Sequence, residues 1–299
     1  MGLKKMIISE LCGGLGNQMF QYAFSRAMSL KYGKKLKITY TTLPGQSIHN
    51  GFELSKVFSL DVDIATFNDI RKVLDLFHTS SVFRKIVSNR QYCFFRHKFF
   101  VTEQELYRFS DEVFSNSDLF LSGYWQSENF FLDFQDVIRK DFSFSDCNDD
   151  RTLGYLNKIK RGLSLSIHVR RGDYISNIKA ASVHGVCSID YYKKAFSIIS
   201  KKFPEINVFM FSDDLDWVES TYRSIIPNMT IVENIGSSSF KDMYLMSNCH
   251  HHIIANSSFS WWGAWLNPSR DKSVIAPKNW FVSPDKNIKD LLPDYWIKI

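Results

Sequence analysis

The chain has 299 residues, of which 44% are apolar, 15% aromatic and 23% charged. This length fits one large domain or two modest ones, and the apolar share excludes a largely disordered chain. Lysine and arginine number 37 against 31 aspartates and glutamates, so the net charge is +6. That excess is too small to indicate a nucleic-acid partner, but it suits an anionic small substrate or an acidic membrane surface.

The apolar runs of the chain are too short to act as membrane or secretion signals. None approaches the roughly 20 uncharged apolar residues that span a bilayer. Glu10 ends the N-terminal run too early for a signal peptide, which predicts a cytoplasmic protein. The five cysteines include no Cys-x-x-Cys pair, so they indicate buried free thiols rather than a metal or redox site.

Apolar periodicity predicts an α/β unit in the first half of the chain. The expected elements are a strand at 3–8, a helix at 18–32, a strand at 36–40, mostly helical structure over 60–115, a strand at 118–125 and a helix at 128–139. Gly33 stands where a C-terminal helix cap belongs. No motif that carries chemistry is evident between residues 60 and 115.

The polar run 143–151 interrupts all periodicity and predicts a linker between a domain at 1–145 and a domain at 146–299. Beyond it the predicted elements are strands at 163–169, 206–211, 229–232, 253–255 and 273–276 and helices at 190–203, 215–224 and 241–247. Strands that alternate with helices predict a parallel sheet covered on both faces. Two such halves would leave a cleft, and ligands of open parallel sheets bind at the carboxyl ends of strands.

A glycine-rich turn follows the first predicted strand. Cys12-Gly-Gly-Leu-Gly-Asn-Gln18 lets backbone amides approach a ligand closely, and the start of the next helix favours an anion. Met19 occupies the place of the third glycine of the dinucleotide fingerprint, so that fingerprint is absent. A tight turn without a ligand is an equal alternative, although Asn17 and Gln18 add two amide side chains there.

The most distinctive motif is His168-Val-Arg-Arg-Gly-Asp-Tyr174, at the end of an apolar strand. Packing explains two adjacent arginines poorly at this place, because a buried arginine needs a partner. Arginine suits bidentate capture of phosphate oxygens. Asp173, in a turn that glycine permits, is either the partner of an arginine in an internal ion pair or a catalytic carboxylate.

Several other features have ordinary structural interpretations. Asp214-Leu-Asp216 matches the Asp-x-Asp metal motif of nucleotide-sugar enzymes, but acids in a first helical turn complement the helix dipole, so capping is favoured. Asp242 lies on a predicted helix, where a lone aspartate usually faces solvent. His250-His-His252 is not expected to hold one ion, because adjacent strand residues point to opposite faces.

A phosphate-binding geometry is predicted over residues 255–267. There a strand runs into small hydroxyl residues, including Ser258 and Ser260, and then into a helix. A helix start of this kind holds a phosphate on amides and hydroxyls. Three tryptophans follow at helical positions i, i+1 and i+4, so at least one indole is expected in the core.

These motifs resemble those of the α-1,2-fucosyltransferases, the GDP-L-fucose-dependent, inverting glycosyltransferase family 11. The resemblance is carried by residues 13–21, 168–174, 211–214 and 256–265, in the order and at the spacing of the family. The element at 168–174 is highly specific, whereas the glycine turn alone is a weak signal. Animal members carry a membrane anchor ahead of this region, so the chain resembles a bacterial, cytoplasmic form.

The resemblance implies a GT-B-like fold of two Rossmann-type domains, with the acceptor side in 1–145 and GDP-L-fucose bound by 146–299. Matching the family motifs, the implied donor contacts are His168, Arg170, Arg171, Asp242, Ser258 and Ser260, with Gly14, Gly16 and Asn17 across the cleft. Asp242 resembles the acidic residue that distant fucosyltransferases place against guanine. A carboxylate is able to accept from two guanine N–H groups.

The implied reaction is an inverting, metal-independent transfer of L-fucose to the 2-hydroxyl of a galactose in an O-antigen or surface glycan. Asp173 is the candidate base, while Arg170 and Arg171 are candidates for stabilising the leaving diphosphate without a metal. A lipid-linked acceptor would bring the enzyme to the inner membrane face, with which the mild positive charge is compatible. No nucleic-acid partner is expected.

Two other functions compete with this interpretation. One is a metal-dependent nucleotide-sugar transferase that uses Asp214 and Asp216, and it predicts activity that a chelator abolishes. The other is a non-catalytic carbohydrate-binding protein, prompted by 46 aromatic residues. The paired arginines speak against the binding protein, since a neutral sugar needs no cationic partner.

Overall fold

The computed structural model describes residues 6–40, 51–103, 109–110, 118–233, 239–283 and 288–299. The chain divides into two compact units. Unit 1 comprises Met1–Ser145 and Asn287–Leu291, and unit 2 comprises Asp146–Lys286 and Leu292–Ile299. The division falls inside the polar run 143–151. No helix among the described residues is both long and apolar enough to cross a membrane.

Unit 1 is built on a sheet of four parallel strands in the order β2-β1-β4-β3. Its elements are β1 (Met6–Leu11), α1 (Leu15–Tyr32), β2 (Lys35–Tyr40), α2 (Leu54–Val57), α3 (Phe67–Val73), α4 (Ser81–Ser88), β3 (Phe100–Thr102), β4 (Leu119–Ser122) and α5 (Gln135–Asp141). Short 3-10 segments at Phe77–Thr79, Arg90–Phe95, Glu128–Phe130 and Leu132–Phe134 lie between them. As expected, Gly33 caps α1 in the left-handed conformation.

Unit 2 is built on a sheet of six parallel strands in the order β10-β9-β8-β5-β6-β7. Its elements are α6 (Asp150–Lys160), β5 (Ser164–Val169), α7 (Gly172–Ser176), α8 (Ile178–His184), α9 (Ile189–Lys202), β6 (Asn207–Ser212), α10 (Leu215–Tyr222), β7 (Thr230–Ile231), α11 (Phe240–Ser247), β8 (His251–Ile253), α12 (Ser258–Leu266), β9 (Val274–Ala276) and β10 (Ile297–Lys298). The α/β class with parallel sheets in both halves is thus confirmed.

Each sheet contains a point at which the strand order reverses. In unit 2 the first strand, β5, lies in the middle, with β6 and β7 on one side and β8, β9 and β10 on the other. This is the strand order of dinucleotide-binding Rossmann folds, and it reverses between β5 and β8. In unit 1 the order reverses between β1 and β4. Open parallel sheets bind ligands beyond the carboxyl ends of strands at such points.

The central strand of unit 2 is buried on both faces, as its continuous apolar run predicts. Leu165, Ile167 and Val169 pack into the apolar core together with helices α9 and α10. The alternate residues Ser166 and His168 are also buried, on the opposite face. The three tryptophans of α12 are all fully buried, one of them having been expected in the core.

Unit 1 departs from the predicted elements in two places. Strand β3 lies in the segment predicted as mostly helical, and it has only three residues, too few to show a period of two. The helix predicted at 128–139 begins only at Gln135, because Phe131 has φ −141° and ψ 10° and separates two 3-10 turns. Phe130 and Phe131 are both buried, so packing overrides the helical pattern.

The cysteines also differ in part from expectation. Cys147 and Cys249 are buried free thiols, as predicted, whereas Cys12 and Cys93 are exposed. Burial raises the pKa of Cys147 to about 12, so this thiol is not a reactive thiolate near neutral pH.

Candidate functional site

Three loops that carry the sequence motifs leave the sheet of unit 2 at one edge. Strands β8, β5 and β6 are adjacent and parallel, so their carboxyl ends lie side by side. The loops that follow them begin at Ile254, Arg170 and Asp213 respectively. Because the strand order reverses between β5 and β8, these loops occupy the position at which open α/β sheets bind ligands.

Asp213 is bonded to both motif arginines. Its Oδ2 lies 3.0 Å from Nη1 of Arg170, and its Oδ1 accepts the backbone N–H of Arg171 at 2.9 Å. The guanidinium of Arg170 also lies 5.7 Å from the ring centroid of Tyr174. The side chain of Arg170 remains 29% exposed. Asp213 therefore orients the guanidinium of Arg170 and leaves it partly exposed. A guanidinium carries more N–H donors than one carboxylate oxygen accepts.

Asp214 orients the second arginine. Its Oδ2 lies 3.1 Å from Nε of Arg171, whose guanidinium carbon is 3.7 Å from the ring centroid of Trp217. The Oδ1 of Asp214 accepts the backbone N–H of Trp217 at 3.3 Å and caps α10. The capping role predicted for this residue is confirmed. Stacking and the ion pair together fix the plane of Arg171.

Gly172 is required by the carboxylate that joins the arginines. A Cβ at this position would lie 2.9 Å from Oδ2 and 3.1 Å from Cγ of Asp213. Any side chain here would displace Asp213, because contacts below 3.0 Å essentially never occur for a real Cβ. The glycine of the motif thus serves the close approach of the loops after β5 and β6.

His168 is a buried, neutral imidazole beneath the arginines. The residue is 5% exposed, and its Nδ1 has no hydrogen-bond partner among the described residues. Burial lowers the pKa of His168 to about 4. Its ring lies 5.8 Å from that of Phe259, at the start of α12. A buried polar atom without a protein partner calls for a ligand or a water molecule, and the donor contact of His168 stays a prediction.

Tyr174 and Asn256 tie the arginine loop to the loop after β8. The hydroxyl of Tyr174 donates to the carbonyl oxygen of Asn256 at 3.2 Å. Asn256 is 2% exposed, and its Nδ2 lies within hydrogen-bond distance of the carbonyl oxygens of His184, Gly185 and Trp280. The ring of Tyr174 stacks on that of His184 at 4.9 Å. The last residue of the motif at 168–174 is thereby hydrogen-bonded to the first residue of the motif at 256–265.

The two predicted phosphate-binding serines lie in different environments. Ser258 is the first residue of α12 and is partly exposed, next to the helix-capping Ser257. Ser260 is fully buried, and its hydroxyl lies 3.2 Å from the carbonyl oxygens of Ala255 and Ser257. The geometry presents Ser258 and the helix start to an anion, whereas Ser260 braces the loop from inside.

The two candidate aspartates outside this cluster lie on helices. Asp242 is on α11 and is 6% exposed, so the solvent-facing position typical of a lone helical aspartate is wrong for it. Helix α11 packs against α12, where a Cβ at Gly263 would come within 3.0 Å of Met246. Asp173 is on α7, but its side chain lies outside the described residues, and its role as base stays a prediction.

The three consecutive histidines have separate partners. His250 bonds through Nδ1 to the hydroxyl of Ser164 at 2.8 Å, and His252 bonds through Nδ1 to the hydroxyl of Ser166 at 2.8 Å. His251 stacks on Phe203 at 4.4 Å. The predicted divergence of these side chains is confirmed. The part of the chain that the structure describes holds no group of three His, Cys, Asp or Glu residues suited to a metal ion.

In unit 1 the glycine turn is braced by the glutamines that follow it. Gly13 has φ +76°, and a Cβ there would lie 2.6 Å from Nδ2 of Asn17. Nε2 of Gln18 donates to the carbonyl oxygens of Gly13 and Gly51, while Oε1 of Gln21 accepts the N–H of Cys12. Gln18 was expected beside a ligand, but it is buried and holds the loop.

Asn17 meets the loop after β4 at the reversal point of this sheet. Its Oδ1 accepts from Nε2 of Gln126 at 2.7 Å. Gly14 is the N-cap of α1 and Gly16 lies in its first turn, so both are at the helix start where they were expected. The turn therefore has the form of an anion-accepting helix start, although its ligand role stays a prediction.

Glu103 joins the ends of two neighbouring strands in unit 1. It follows β3, and its carboxylate accepts the backbone N–H groups of Tyr124 and Trp125, which follow β4, at 2.7 and 2.8 Å. Trp125 has φ +54°, which is uncommon for any residue but glycine. Burial raises the pKa of Glu103 to about 7, despite the two N–H bonds that favour its charged form. No motif in the sequence marks this carboxylate.

Comparison with known proteins identifies the family. The profile of glycosyl transferase family 11 matches residues 6–299, nearly the whole chain. The chain belongs to glycosyltransferase family 11. It is 34% identical to an α-1,2-colitosyltransferase of Escherichia coli, over 98% of this chain and 99% of that protein. It is 33% identical to the O-antigen biosynthesis glycosyltransferase WbnK of Escherichia coli, over 97% and 99% of the two chains.

The solved structures agree with a GT-B-like fold for this family 11 glycosyltransferase. The fucosyltransferase NodZ from Bradyrhizobium superposes with a TM-score of 0.55, covering 89% of this chain and 95% of its own. At 15% identity this likeness establishes the fold alone. The resemblance to the bacterial α-1,2-fucosyltransferases, read from the motifs, is confirmed at the level of the family.

Sequence reasoning missed the residues that orient the arginines of this glycosyltransferase. Asp214 was noted as a helix cap or part of a metal motif, Asp213 only as part of the stretch 211–214, and Asp173 was considered as the arginine partner. The order of the predicted elements pointed to this pairing, because both Asp213 and Asp214 follow β6, the next strand along the chain after β5. Asn256 was equally hidden, since its partners are backbone carbonyls that no motif specifies.

Proposed function

We propose that this glycosyltransferase transfers L-fucose from GDP-L-fucose to the 2-hydroxyl of a terminal galactose, with inversion, during O-antigen synthesis. The names of its relatives support the individual parts of the proposal. An E. coli relative is an α-1,2-colitosyltransferase, and another acts in O-antigen biosynthesis. A galactoside α-(1,2)-fucosyltransferase of Saimiri sciureus is 26% identical over 52% of this chain.

The observation that carries the proposal is the pair of oriented arginines beyond β5. Asp213 and Asp214 fix Arg170 and Arg171 at the reversal point of the sheet, next to the N-terminus of α12. Two guanidinium groups beside a helix start suit a diphosphate, whose oxygens accept charge-assisted hydrogen bonds from both. A NodZ structure of the same fold was soaked with GDP-fucose.

The proposed chemistry follows from where charge develops. The oxygen of the galactose 2-hydroxyl attacks the anomeric carbon of fucose as the bond from that carbon to the diphosphate oxygen breaks. The hydroxyl proton passes to Asp173, and the negative charge on the departing GDP is stabilised by Arg170 and Arg171. Attack opposite the β-linked leaving group gives an α-linked product.

The arginines make a metal unnecessary in this scheme. They supply the charge stabilisation that a divalent cation gives in other nucleotide-sugar transferases. Both carboxylate oxygens of Asp214, the candidate metal ligand, already have partners. One caps α10 by accepting the N–H of Trp217, and the other pairs with Arg171. We therefore propose that transfer is independent of metal ions.

Binding of the donor involves further groups in unit 2. We propose that Ser258 and the start of α12 contact phosphate, that Nδ1 of His168 contacts the donor, and that Asp242 accepts from guanine. We propose that Gly14, Gly16 and Asn17, at the helix start of unit 1, also contact the donor. The protein would work in the cytoplasm, where nucleotide sugars are made.

The donor sugar is the point at which the relatives differ, so it is the point to test. Colitose is L-fucose without its 3-hydroxyl. The two values of kcat/KM, for GDP-L-fucose and for GDP-colitose, are measured with one β-galactoside acceptor. A site that hydrogen-bonds the 3-hydroxyl rejects the deoxy donor by roughly 10⁴-fold, so GDP-L-fucose should be strongly preferred. Preference for GDP-colitose would refute fucose as the donor sugar while leaving the α-1,2-transfer intact.

A further inference from the structure

Unit 1 displays an unusual concentration of exposed apolar side chains over residues 76–95. Seven of them belong to large apolar residues between 43% and 75% exposed, namely Leu76, Phe77, Val82, Ile86, Tyr92, Phe94 and Phe95. The rings of Phe94 and Phe95 lie 4.3 Å apart. The phenylalanines that are exposed among the described residues all fall between 67 and 95. Scattered apolar residues are normal at a surface, whereas a cluster of this kind marks an interaction site.

Helix α4, at the centre of this cluster, buries Arg84 beside Val87 and exposes aliphatic side chains. Its Arg84 is 3% exposed and is bonded to Glu10 at 2.8 Å and to the carbonyl oxygens of His78 and Thr79. Its outer face carries Val82 and Ile86, four residues apart. An arginine in the interior and aliphatic side chains in solvent are the reverse of the usual pattern.

The elements on either side of α4 extend the same surface. Helix α4 packs against both the 3-10 turn Phe77–Thr79 and the 3-10 segment Arg90–Phe95. Arg96 closes the end of α4 by donating to the carbonyl oxygens of Val87 and Ser88 at 2.6 and 2.8 Å. The exposed side chains of residues 76–95 thus come from neighbouring, connected elements rather than from separate places in the fold.

The positive charge of the whole chain is concentrated in the same segment. Residues 71–98 contain seven lysines and arginines and a single acid, Asp75, a balance of +6 that equals that of all 299 residues. Five of the seven basic side chains are exposed, namely Arg71, Lys72, Lys85, Arg90 and Lys98. The rest of the chain therefore carries no net charge.

The geometry points to an apolar–basic surface, formed by residues 71–98, that docks on an anionic lipid bilayer. Aromatic and aliphatic side chains would enter the boundary between headgroups and acyl chains, and the lysines and arginines would pair with lipid phosphates. The proposal goes beyond the transfer reaction, and it accounts for how a soluble domain would reach a lipid-linked acceptor.

Charge and composition favour a bilayer over a protein partner. The buried centres of protein–protein interfaces are depleted of charged residues, lysine among them. Here exposed basic and exposed aromatic residues occur in the same short segment, as in Lys85, Arg90, Tyr92, Phe94 and Lys98. Rings at headgroup depth beside lysine and arginine are typical of interfacial membrane segments.

The test is a vesicle flotation assay with the whole chain and without substrates. Vesicles of phosphatidylglycerol and phosphatidylethanolamine are compared with vesicles of phosphatidylcholine alone, at low salt and at about 0.5 M NaCl. One variant combines Lys85→Gln, Arg90→Gln and Lys98→Gln, and a second combines Phe77→Ser and Phe94→Ser. The matched controls in unit 2 are Lys193→Gln, Lys194→Gln and Lys201→Gln combined, and Tyr295→Ser.

We expect the wild type to float with the anionic vesicles and not with the neutral ones. The basic and the apolar variant should each lower the partition coefficient at least about tenfold, and the controls should leave it unchanged. Absence of wild-type flotation, or equal flotation of all variants, would overturn the proposal. So would sedimentation that shows a dimer converted to a monomer by the apolar variant, because the surface would then join two copies.

Activity on a small, water-soluble galactoside separates this proposal from the proposed function. If transfer occurs, both surface variants should retain wild-type kcat and KM with that acceptor, which also shows that they fold. If transfer from GDP-L-fucose fails for every form of the protein, the flotation result still decides whether the surface binds anionic lipid.

Discussion

At the scale of single residues, the candidate site depends on carboxylates that hold cations in place. Arg170 and Arg171 are each paired with an aspartate from the loop after β6, and Gly172 leaves room for one of these aspartates, Asp213. Orientation before the ligand arrives matters, because preorganised charges lose little energy to reorganisation when the leaving group develops its charge.

Replacement of one arginine tests its role in donor binding. Arg170→Ala should weaken GDP binding by about tenfold or more, since charge-assisted hydrogen bonds contribute roughly 1.5–3 kcal/mol. Isothermal titration calorimetry with GDP measures the effect. Arg151→Ala is the matched control, because Arg151 is an exposed arginine of unit 2 that is also paired with an acid, Glu233, at 2.7 Å. Equal GDP affinity in wild type and Arg170→Ala would contradict the assignment.

Replacement of the candidate base separates chemistry from binding. Asp173→Asn keeps the size of the side chain and removes its basicity, so kcat should fall by roughly 10²- to 10⁴-fold. GDP affinity should not change, because the proposed role of Asp173 is to accept the proton of the acceptor hydroxyl and not to bind the nucleotide. Rapid-quench turnover and calorimetry on the same variant provide the two readings. Near-wild-type kcat would show that another group takes the proton.

The positions of the motif residues were predictable at this scale, but their pairing was not. The two arginines, the serine at the start of α12 and the capping role of Asp214 were all evident from residue type and position. The partners of the arginines required knowledge of which strand lies next to β5. The burial of Asp242 was not predictable from its position on a helix, because the packing of α11 against α12 and α6 is a long-range feature that local periodicity does not encode.

At the scale of elements, the loop after β4 is held by the carboxylate of Glu103. Two backbone N–H groups point at it, and the loop contains Trp125 at φ +54° and Gly123, where a Cβ would lie 3.0 Å from Cγ of Glu103. The loop is thus shaped around a partly buried acid. Burial raises the pKa of Glu103 to about 7, from an ordinary 4.5.

This raised pKa predicts how stability depends on pH. Because the pKa of Glu103 is higher in the folded than in the unfolded protein, its protonation stabilises the folded state. This stabilisation is greatest below pH about 4.5 and is lost as pH rises through about 7. The free energy of unfolding of the wild type should therefore fall by on the order of 2 kcal/mol between pH 5 and pH 8, relative to Glu103→Gln. Urea denaturation of both proteins at the two pH values measures this difference.

The control for this experiment is Glu219→Gln. Glu219 is exposed and hydrogen-bonded to Arg223, which lowers its pKa. A lowered pKa stabilises the folded state above the ordinary value, so this control should alter the pH dependence in the opposite direction or not measurably. The same response in the Glu103 and Glu219 variants would mean that burial does not govern the titration of Glu103.

Elements with strong periodicity were predictable from the sequence, and those shaped by packing were not. The first strand, the glycine turn and helix α1 follow from apolar spacing and from Gly33 at the cap. Strand β3 has only three residues, so it leaves no detectable period. The break at Phe131 arises because Phe130 and Phe131 both pack inward, against the helical spacing of their neighbours.

At the scale of the whole molecule, two sheets of parallel strands place the motif residues of the chain at the points where the strand order reverses. Alternating strands and helices predicted the parallel class, but only the structure gives the strand order that brings residues 170, 213 and 256 to one edge. The charge of +6 was read as an overall property, whereas it resides in residues 71–98.

Metal-independent α-1,2-fucosyl transfer, the proposed reaction of the whole molecule, can be tested in one assay. GDP-L-fucose is incubated with a panel of β-galactosides, including lactose, with and without EDTA, and the product linkage is determined by NMR. We expect an α-1,2-fucosylated galactoside in equal yield with and without EDTA. Loss of product with EDTA would assign the reaction to a metal-dependent transferase, and absence of both product and GDP release would contradict fucosyl transfer altogether.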